Sequence, residues 1–360
     1  MRRFLFFDLD IGLLLPVVIL VILSLTTLFS INLSFFKSQL TFLLIGIVFF
    51  VFFANSDYKI LQMYAVPIYL ISLGILFFVL ILGIESRGAV RWIDILGLRI
   101  QFSEILKPFL LISISSYLSN TKTFSLKEFG KIMMLILLVV LLILKQPDLG
   151  SALIYLLASI FILLTVGFPL SRFLMLGFLT ALAMPFFWRF MHEYQRQRIF
   201  TFINPTTDPL GTSYNAIQSI IAVGSGMVFG RGLWGGTQST LKFLPERHTD
   251  FIFATISEQF GFLVSLGILV CFFFLLLKIY SIFCDSKEKF CRIFSISAFF
   301  LILIQLFVNI GMNIGLLPVV GVTLPFVSYG GSSLLSNFIL LGFLTSISRD
   351  FKNKEVLEIR

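Results

Sequence analysis

The segment LPERHTDFIFATISEQFGFLVSLGILVCFFFLLLKIY, residues 244–280, decides the class of fold. It opens on Glu246, Arg247, His248 and Asp250 and then runs apolar to Tyr280, with Glu258 already inside the run. Read as one helix from Asp250 to Tyr280, it is about 45 Å long, against roughly 30 Å for a bilayer core. Its first turns therefore tilt or project outward, which leaves Asp250 in the first turn, after Thr249, at the outer lip of a membrane. A carboxylate there either caps the helix or, with its pKa raised by partial desolvation, accepts a proton. Glu258 lies about 12 Å further along and some 80° round. The two acids cannot share one proton, so any second catalytic group must come from another segment.

The rest of the chain agrees with a membrane reading. Of 360 residues, 58% are hydrophobic and only 12% charged, with 45 Phe and a mean hydropathy of +1.03. That is more apolar surface than one globular core needs. At roughly 20 residues per crossing, ten spans are expected near 11–30, 38–54, 60–83, 104–119, 131–145, 149–166, 170–190, 249–277, 293–316 and 325–347. The expectation is a single all-α polytopic domain over 1–360, with a long extracytoplasmic loop at about 191–248 between the seventh and eighth spans.

Charge sets the orientation. The first span follows MRR without a small-residue cleavage site and reads as a retained anchor with a cytoplasmic amino terminus. Threading from there puts 15 of the 27 basic residues inside, as the positive-inside rule requires, and both termini in the cytoplasm. Topology and anionic inner-leaflet lipid thus account for the net charge of +9, and a nucleic-acid partner is not implied. Cys271, Cys284 and Cys291 fall in a span or on the cytoplasmic side, which implies neither a disulfide nor a thiolate metal site.

Three outer segments carry charge against that rule. In 85–108, Arg87, Arg91 and Arg99 alternate with Trp92 and short apolar residues, a pattern suited to interfacial anchoring or to an anionic headgroup, since guanidinium matches phosphate oxygens. Ser103 is a plausible N-cap for the next helix. Glu104 and Lys107, spaced i, i+3 at the outer boundary, neutralise each other as a clamp or as catalytic support. In LKQPDLG (144–150), Lys145 pairs with Asp148, which caps the sixth helix. The long loop holds turn chemistry at NPTTDPLG (204–211), a short amphipathic helix at SYNAIQSIIAVGSG and a glycine-rich turn at GSGMVFGRGLWGG. The latter lacks the strand and the G-K-[ST] of a phosphate loop. Gln305, Asn309 and Asn313 form a polar stripe suited to interhelical hydrogen bonds. TLPFVSYGGSSLLSN (323–337), with Ser328, is irregular backbone that must be buried in protein or line a wet cavity.

RGAVRWI, FSEILKP, LKQPDLGSALI, NPTTDPLGTSYNAIQSIIAVGSG, LPERHTDFIFATISEQFG and LPFVSYGGSSLLSN, in this order, resemble the SEDS family of shape, elongation, division and sporulation proteins. The likeness covers most of 85–348 and is greater to the elongation (rod-shape) branch than to the division branch. It implies a peptidoglycan glycosyltransferase of the cytoplasmic membrane that polymerises lipid II, the undecaprenyl-pyrophosphate disaccharide-pentapeptide, with a class B penicillin-binding protein. Asp250 matches the family's catalytic aspartate, Glu104 and Lys107 its salt bridge, and Trp92 its sensitive tryptophan. Phe102, Ile220 and Gln259 depart from the family pattern. The candidate set is Asp250, Glu104 and Lys107 for catalysis, with Arg87, Arg91, Trp92, Asp148, Arg247, His248, Glu258 and Ser328 for substrate. No metal ligand set is assigned, although a divalent cation such as magnesium could hold the pyrophosphate in place of the arginines. A lipid-linked precursor flippase, a division-type polymerase and a purely structural scaffold for a partner enzyme stand as alternatives.

Overall fold

The computed structural model describes residues 10–358 except 87–88, 96–97, 191–192, 205–212 and 242. The helices are α1 (Ile11–Ile31), α2 (Leu33–Asn55), α3 (Tyr58–Met63), α4 (Ala65–Leu82), α5 (Phe102–Ile105), α6 (Lys107–Asn120), α7 (Leu126–Lys145), α8 (Leu149–Val166), α9 (Leu170–Phe190), α10 (Glu193–Ile203), α11 (Tyr214–Ser225), α12 (Thr237–Thr240), α13 (Ile252–Asp285), α14 (Lys289–Asn313) and α15 (Gly331–Glu358). All ten expected spans are helical. Among the described residues, seven helices are long and apolar enough to cross a bilayer by length and composition: α1, α2, α4, α8, α13, α14 and the Gly331–Phe351 part of α15. The other three expected crossings, α6, α7 and α9, fall short for visible reasons. α6 has only 14 residues, α7 opens on Lys127, Glu128 and Lys131, and α9 carries Arg172 near its start, Arg189 near its end and Pro185 inside it.

Sequence explains which helices lie at the centre. The Gly331–Phe351 window of α15 is 94% buried, against 22% for α2 and α4. Small residues let the backbones approach: a Cβ on Gly46 of α2 would stand 3.0 Å from Phe338, and one on Gly342 of α15 would stand 2.9 Å from the Phe50 carbonyl oxygen. The outer face of α2 and the neighbouring α4 turn residues such as Phe52, Val66 and Phe78 outward, as a lipid-facing surface requires. The protein is a multi-pass membrane protein.

Two features correct the sequence reading. The interfacial segment after α4 is a three-stranded antiparallel meander of β1 (Ile84–Ser86), β2 (Ala89–Ile95) and β3 (Leu98–Ile100), with Ile84 opposite Trp92 and Asp94 opposite Arg99. The alternation of Arg91 and Trp92 with apolar neighbours is thus a strand period of two. Second, α13 is not one continuous helix, nor does it start at Asp250. It starts at Ile252, with Asp250 in the preceding turn, and it breaks at Gly261, where φ is +80° and ψ is −173°.

The break has a definite physical partner. A helix interrupted at membrane depth leaves backbone donors and acceptors that lipid cannot satisfy. The glycine-rich turn satisfies them. The Phe262 and Leu263 amides donate to the Met227 and Val228 carbonyls at 2.8 and 3.3 Å, while the Arg231 and Gly232 amides donate to the Glu258 and Gln259 carbonyls at 2.9 Å each. Glycine is needed for this approach: a Cβ on Gly226 would overlap the Ser257 carbonyl, and one on Gly230 the Gln259 carbonyl.

Candidate functional site

The site is built around the backbone of residues 248–250, whose three consecutive carbonyls are all held. Tyr329 N–H donates to the His248 carbonyl at 2.9 Å. Ser328 Oγ donates to the Thr249 carbonyl at 2.8 Å, and Asn309 and Asn313 Nδ2 both donate to the Asp250 carbonyl, at 3.1 and 3.0 Å. Asn313 Oδ1 in turn accepts from the Ala254 amide at 3.1 Å. The polar stripe of α14 and the irregular 314–330 segment therefore lock the main chain under Asp250. The interhelical hydrogen bonds expected of Asn309 and Asn313 are present, and the sequence gives no sign that their partner is the Asp250 carbonyl. A helix-period polar stripe indicates a partner without saying which.

The Asp250 side chain is treated differently. Among the described residues none donates a hydrogen bond to it, and neither Asp250 nor Thr249 caps α13, whose N-cap is Phe251 without a side-chain bond. Burial raises the Asp250 carboxyl from 3.8 to about 6. Glu246 and Asp148 push the same way, while Arg91 and Arg198 oppose them. Arg198 of α10 is thus close enough to matter electrostatically; its sequence signal was only one more basic residue in a long loop.

Arg91, Asp148, Gln101 and Ser103 form the adjoining wall. Asp148 caps α8 by accepting from the Ser151 amide at 3.1 Å, as expected of it. Its expected partner Lys145 is exposed; Asp148 instead accepts from Gln101 Nε2 at 2.6 Å and Ser103 Oγ at 3.2 Å, with Arg91 Nη1 at 3.9 Å. Ser103 is consequently no N-cap: it sits inside α5, and its hydroxyl is engaged by Asp148. Trp92 follows on β2, half-buried, on the opposite strand face from Arg91. Glu104 and Lys107 make the expected pair, Nζ to Oε1 at 2.6 Å, and both are buried. They do so across a helix break at Leu106 rather than within one helix. Two buried atoms of this wall, Arg91 Nε and Glu104 Oε2, have no hydrogen-bond partner among the described residues, which is unusual enough to call for a ligand or solvent.

The remaining candidates support the outer loop. Glu258, fully buried, accepts from the Gln238 and Ser239 amides at 2.8 Å each and so closes the start of α12. Arg247 Nη1 donates to the Ser239 carbonyl, and Thr255 Oγ1 donates to the Arg247 carbonyl at 3.0 Å. The His248 ring stacks on Phe35 with centroids 4.2 Å apart. Gln259, neutral where an acid was expected by resemblance, accepts from Ser30 Oγ of α1 at 3.0 Å. Arg87 and most of NPTTDPLG lie outside the described residues. No three His, Cys, Asp or Glu side chains come together as a metal ligand set among the described residues.

This arrangement has relatives. Residues 2–353 match the cell cycle protein family FtsW/RodA/SpoVE. The chain belongs to this family. It is 38% identical over 304 residues to the peptidoglycan glycosyltransferase MrdB of Escherichia coli K12, covering 84% of this chain and 82% of MrdB. It is also 37% identical over 324 residues to a probable peptidoglycan glycosyltransferase FtsW of Geobacter sulfurreducens, covering 88% and 86%. Among solved FtsW/RodA/SpoVE structures, the rod shape determining protein RodA of Thermus thermophilus aligns with a TM-score of 0.73 and 28% identity over 96% of this chain and 98% of RodA. A chain from a peptidoglycan synthase complex, studied for how it coordinates polymerization and crosslinking, aligns with a TM-score of 0.83 and 30% identity over 95% and 98%.

Proposed function

We propose that this FtsW/RodA/SpoVE family member is a peptidoglycan glycosyltransferase of the elongation branch that polymerises lipid II at the outer face of the cytoplasmic membrane. Its termini would lie in the cytoplasm and a class B penicillin-binding protein would be its partner. The observation that carries the reading is Asp250: a carboxylate with no donor among the described residues, raised to about 6, on a backbone held at three successive carbonyls. A group left free and poised near neutrality on a rigid support is what a general base requires.

In the proposed step Asp250 takes the proton from the acceptor sugar's 4-hydroxyl while that oxygen attacks the anomeric carbon of the donor. The carbon–oxygen bond to undecaprenyl pyrophosphate breaks, the leaving group keeps the electron pair, and the configuration inverts. Arg91, whose Nε has no partner among the described residues, would receive the departing pyrophosphate, as charge-assisted hydrogen bonds to phosphate favour. Arg87 is assigned the same role from sequence. The Glu104–Lys107 pair supports this wall. A flippase would also want ten spans, outer arginines and a polar stripe, but Asn309 and Asn313 of that stripe are engaged in holding Asp250 and Ala254.

The test is polymerisation of lipid II by purified protein with a class B penicillin-binding protein and its transpeptidase inhibited. Asp250→Asn should bind the partner, fold and make no glycan chains. Wild-type chain yield from that variant would leave Asp250 with a structural role only.

A further inference from the structure

The largest apolar exposures outside the membrane helices are on the glycine-rich turn. Met227 and Phe229 are 77% and 80% exposed and Trp234 is 59% exposed. The mechanism uses none of them. Side chains so apolar do not stand in water without reason, and the turn's depth can be measured from two directions.

The first ruler is α13. Lys278 pairs with Asp10 at 3.0 Å, and Asp10 caps the start of α1, so this level marks one membrane edge. Phe262 lies about 16 residues back along the helix, hence roughly 24 Å away, inside a core of about 30 Å. The second ruler is α1 itself. Its 21 residues rise about 30 Å, and Ser30 at its far end bonds Gln259, just short of the break. Both rulers set Phe262 at or just inside the opposite edge of the hydrocarbon. The Met227 carbonyl accepts the Phe262 amide at 2.8 Å and shares that depth. Phe262 and Leu263 are 59% and 52% exposed, so the turn continues the lipid-facing wall of α13 without interruption.

We infer that residues 226–234 form a re-entrant apolar wedge seated among the lipid acyl chains of that leaflet, with the bilayer itself as its binding partner. The backbone bonds to the α13 break remove the polar groups that would otherwise bar entry. Met227 and Phe229 then meet hydrocarbon. Arg231, exposed and bonded through Nε to the Ser225 carbonyl at 3.0 Å, can present the rest of its guanidinium to headgroup phosphates, and Trp234 suits the interface. The inference does not depend on the proposed activity or on which leaflet faces out.

The test is nitroxide labelling of the full chain in phospholipid vesicles at Phe229→Cys and, separately, Met227→Cys. The background is Cys271→Ala with Cys284→Ser, and the buried Cys291 stays in place. Labels at Phe274→Cys on the lipid face and at Lys127→Cys in water are the references. Collision with a water-soluble nickel chelate should be about tenfold lower at 227 and 229 than at 127, because hydrocarbon excludes a polar solute. Oxygen collision should match 274. Chelate access equal to that at 127 at either position, in a labelled protein that keeps the wild-type thermal transition, would overturn the wedge. So would access that falls only when the penicillin-binding protein is added, which would make the turn a protein interface.

Discussion

Replacing Asp250 by Asn should stabilise the protein while abolishing its chemistry. The carboxyl stands at about 6 in the fold against 3.8. A carboxyl whose pKa is raised by folding is protonated more readily in the native state, so native stability is greatest below about pH 4. It falls as pH rises to about 6 and stays flat above that. A shift of about two units at about 1.36 kcal/mol each is roughly 3 kcal/mol. Because the residue is half-buried, solvent screening reduces this to about 1–2 kcal/mol. Asn carries no charge and escapes the loss. Unfolding of the reconstituted wild type and variant should therefore diverge between about pH 4 and 6, with the variant more stable above, as expected where an active site holds a destabilised group. In the same range, wild-type polymerisation should drop about tenfold per unit below pH 6 as the base is protonated. A variant less stable than wild type near neutrality would mean the carboxylate anchors the fold, and a wild-type rate flat through pH 6 would remove it as the base.

Four further outcomes follow from named contacts. Arg91→Ala removes a charge that lowers the Asp250 carboxyl, so the pH midpoint of any remaining polymerisation should move above 6 as turnover slows. Lys107→Met strands the buried Glu104 carboxylate and should cost about 3–5 kcal/mol, whereas Lys107→Met with Glu104→Leu should cost far less by calorimetry. Gly261→Ala forces a Cβ onto a backbone at φ +80° and into the Gly230 amide and Val228 carbonyl; a loss of at least about 1–3 kcal/mol is expected, with earlier proteolysis of the 226–236 turn. Glu258→Gln keeps one acceptor for the two amides it now serves and should loosen α12 by about 1–3 kcal/mol, read as faster hydrogen exchange at Gln238 and Ser239.

Spans were legible because hydropathy alone forces them: ten apolar runs became ten helical segments, and Asp148 capped α8 as its place before LGSALI suggests. What the sequence concealed is mostly non-local. Nothing near Lys145 says that Asp148 will turn instead to Gln101, Ser103 and Arg91, because those residues arrive from a strand and a helix 45 or more positions away. The Gly261 break was hidden inside a run whose composition is entirely suitable for a helix; its signal was the remote cluster at Gly226, Gly230 and Gly232, which is informative only once the two are seen to pair. The small sheet was hidden because its seven-residue central strand looks like an interfacial run.

The concealed features share one cause. A membrane helix with an unbroken hydrogen-bond ladder offers no backbone group to anything else, so a site in this setting needs places where the ladder stops. Three stops lie around Asp250. α5 and α6 part at Leu106, which leaves Glu104 and Lys107 to meet across the gap. α14 ends at Asn313 and the chain does not become helical again until Gly331, which supplies Ser328 and Tyr329 to residues 248 and 249. α13 begins only at Ile252 and breaks nine residues later, so the short stretch carrying Asp250 is fixed at one end by α14 and at the other by the loop that Glu258 clamps. Each interruption would cost several kcal/mol if its polar groups met lipid; at the first, Tyr155 Oη donates to the Ser103 carbonyl at 3.0 Å, and at the other two the bonds described above take up the freed carbonyls and amides. The charges at the lip of the long apolar run are therefore tolerated because the surrounding helices are cut short to receive them, and Asp250, whose carboxylate accepts no hydrogen bond among the described residues, is the group proposed to take the proton.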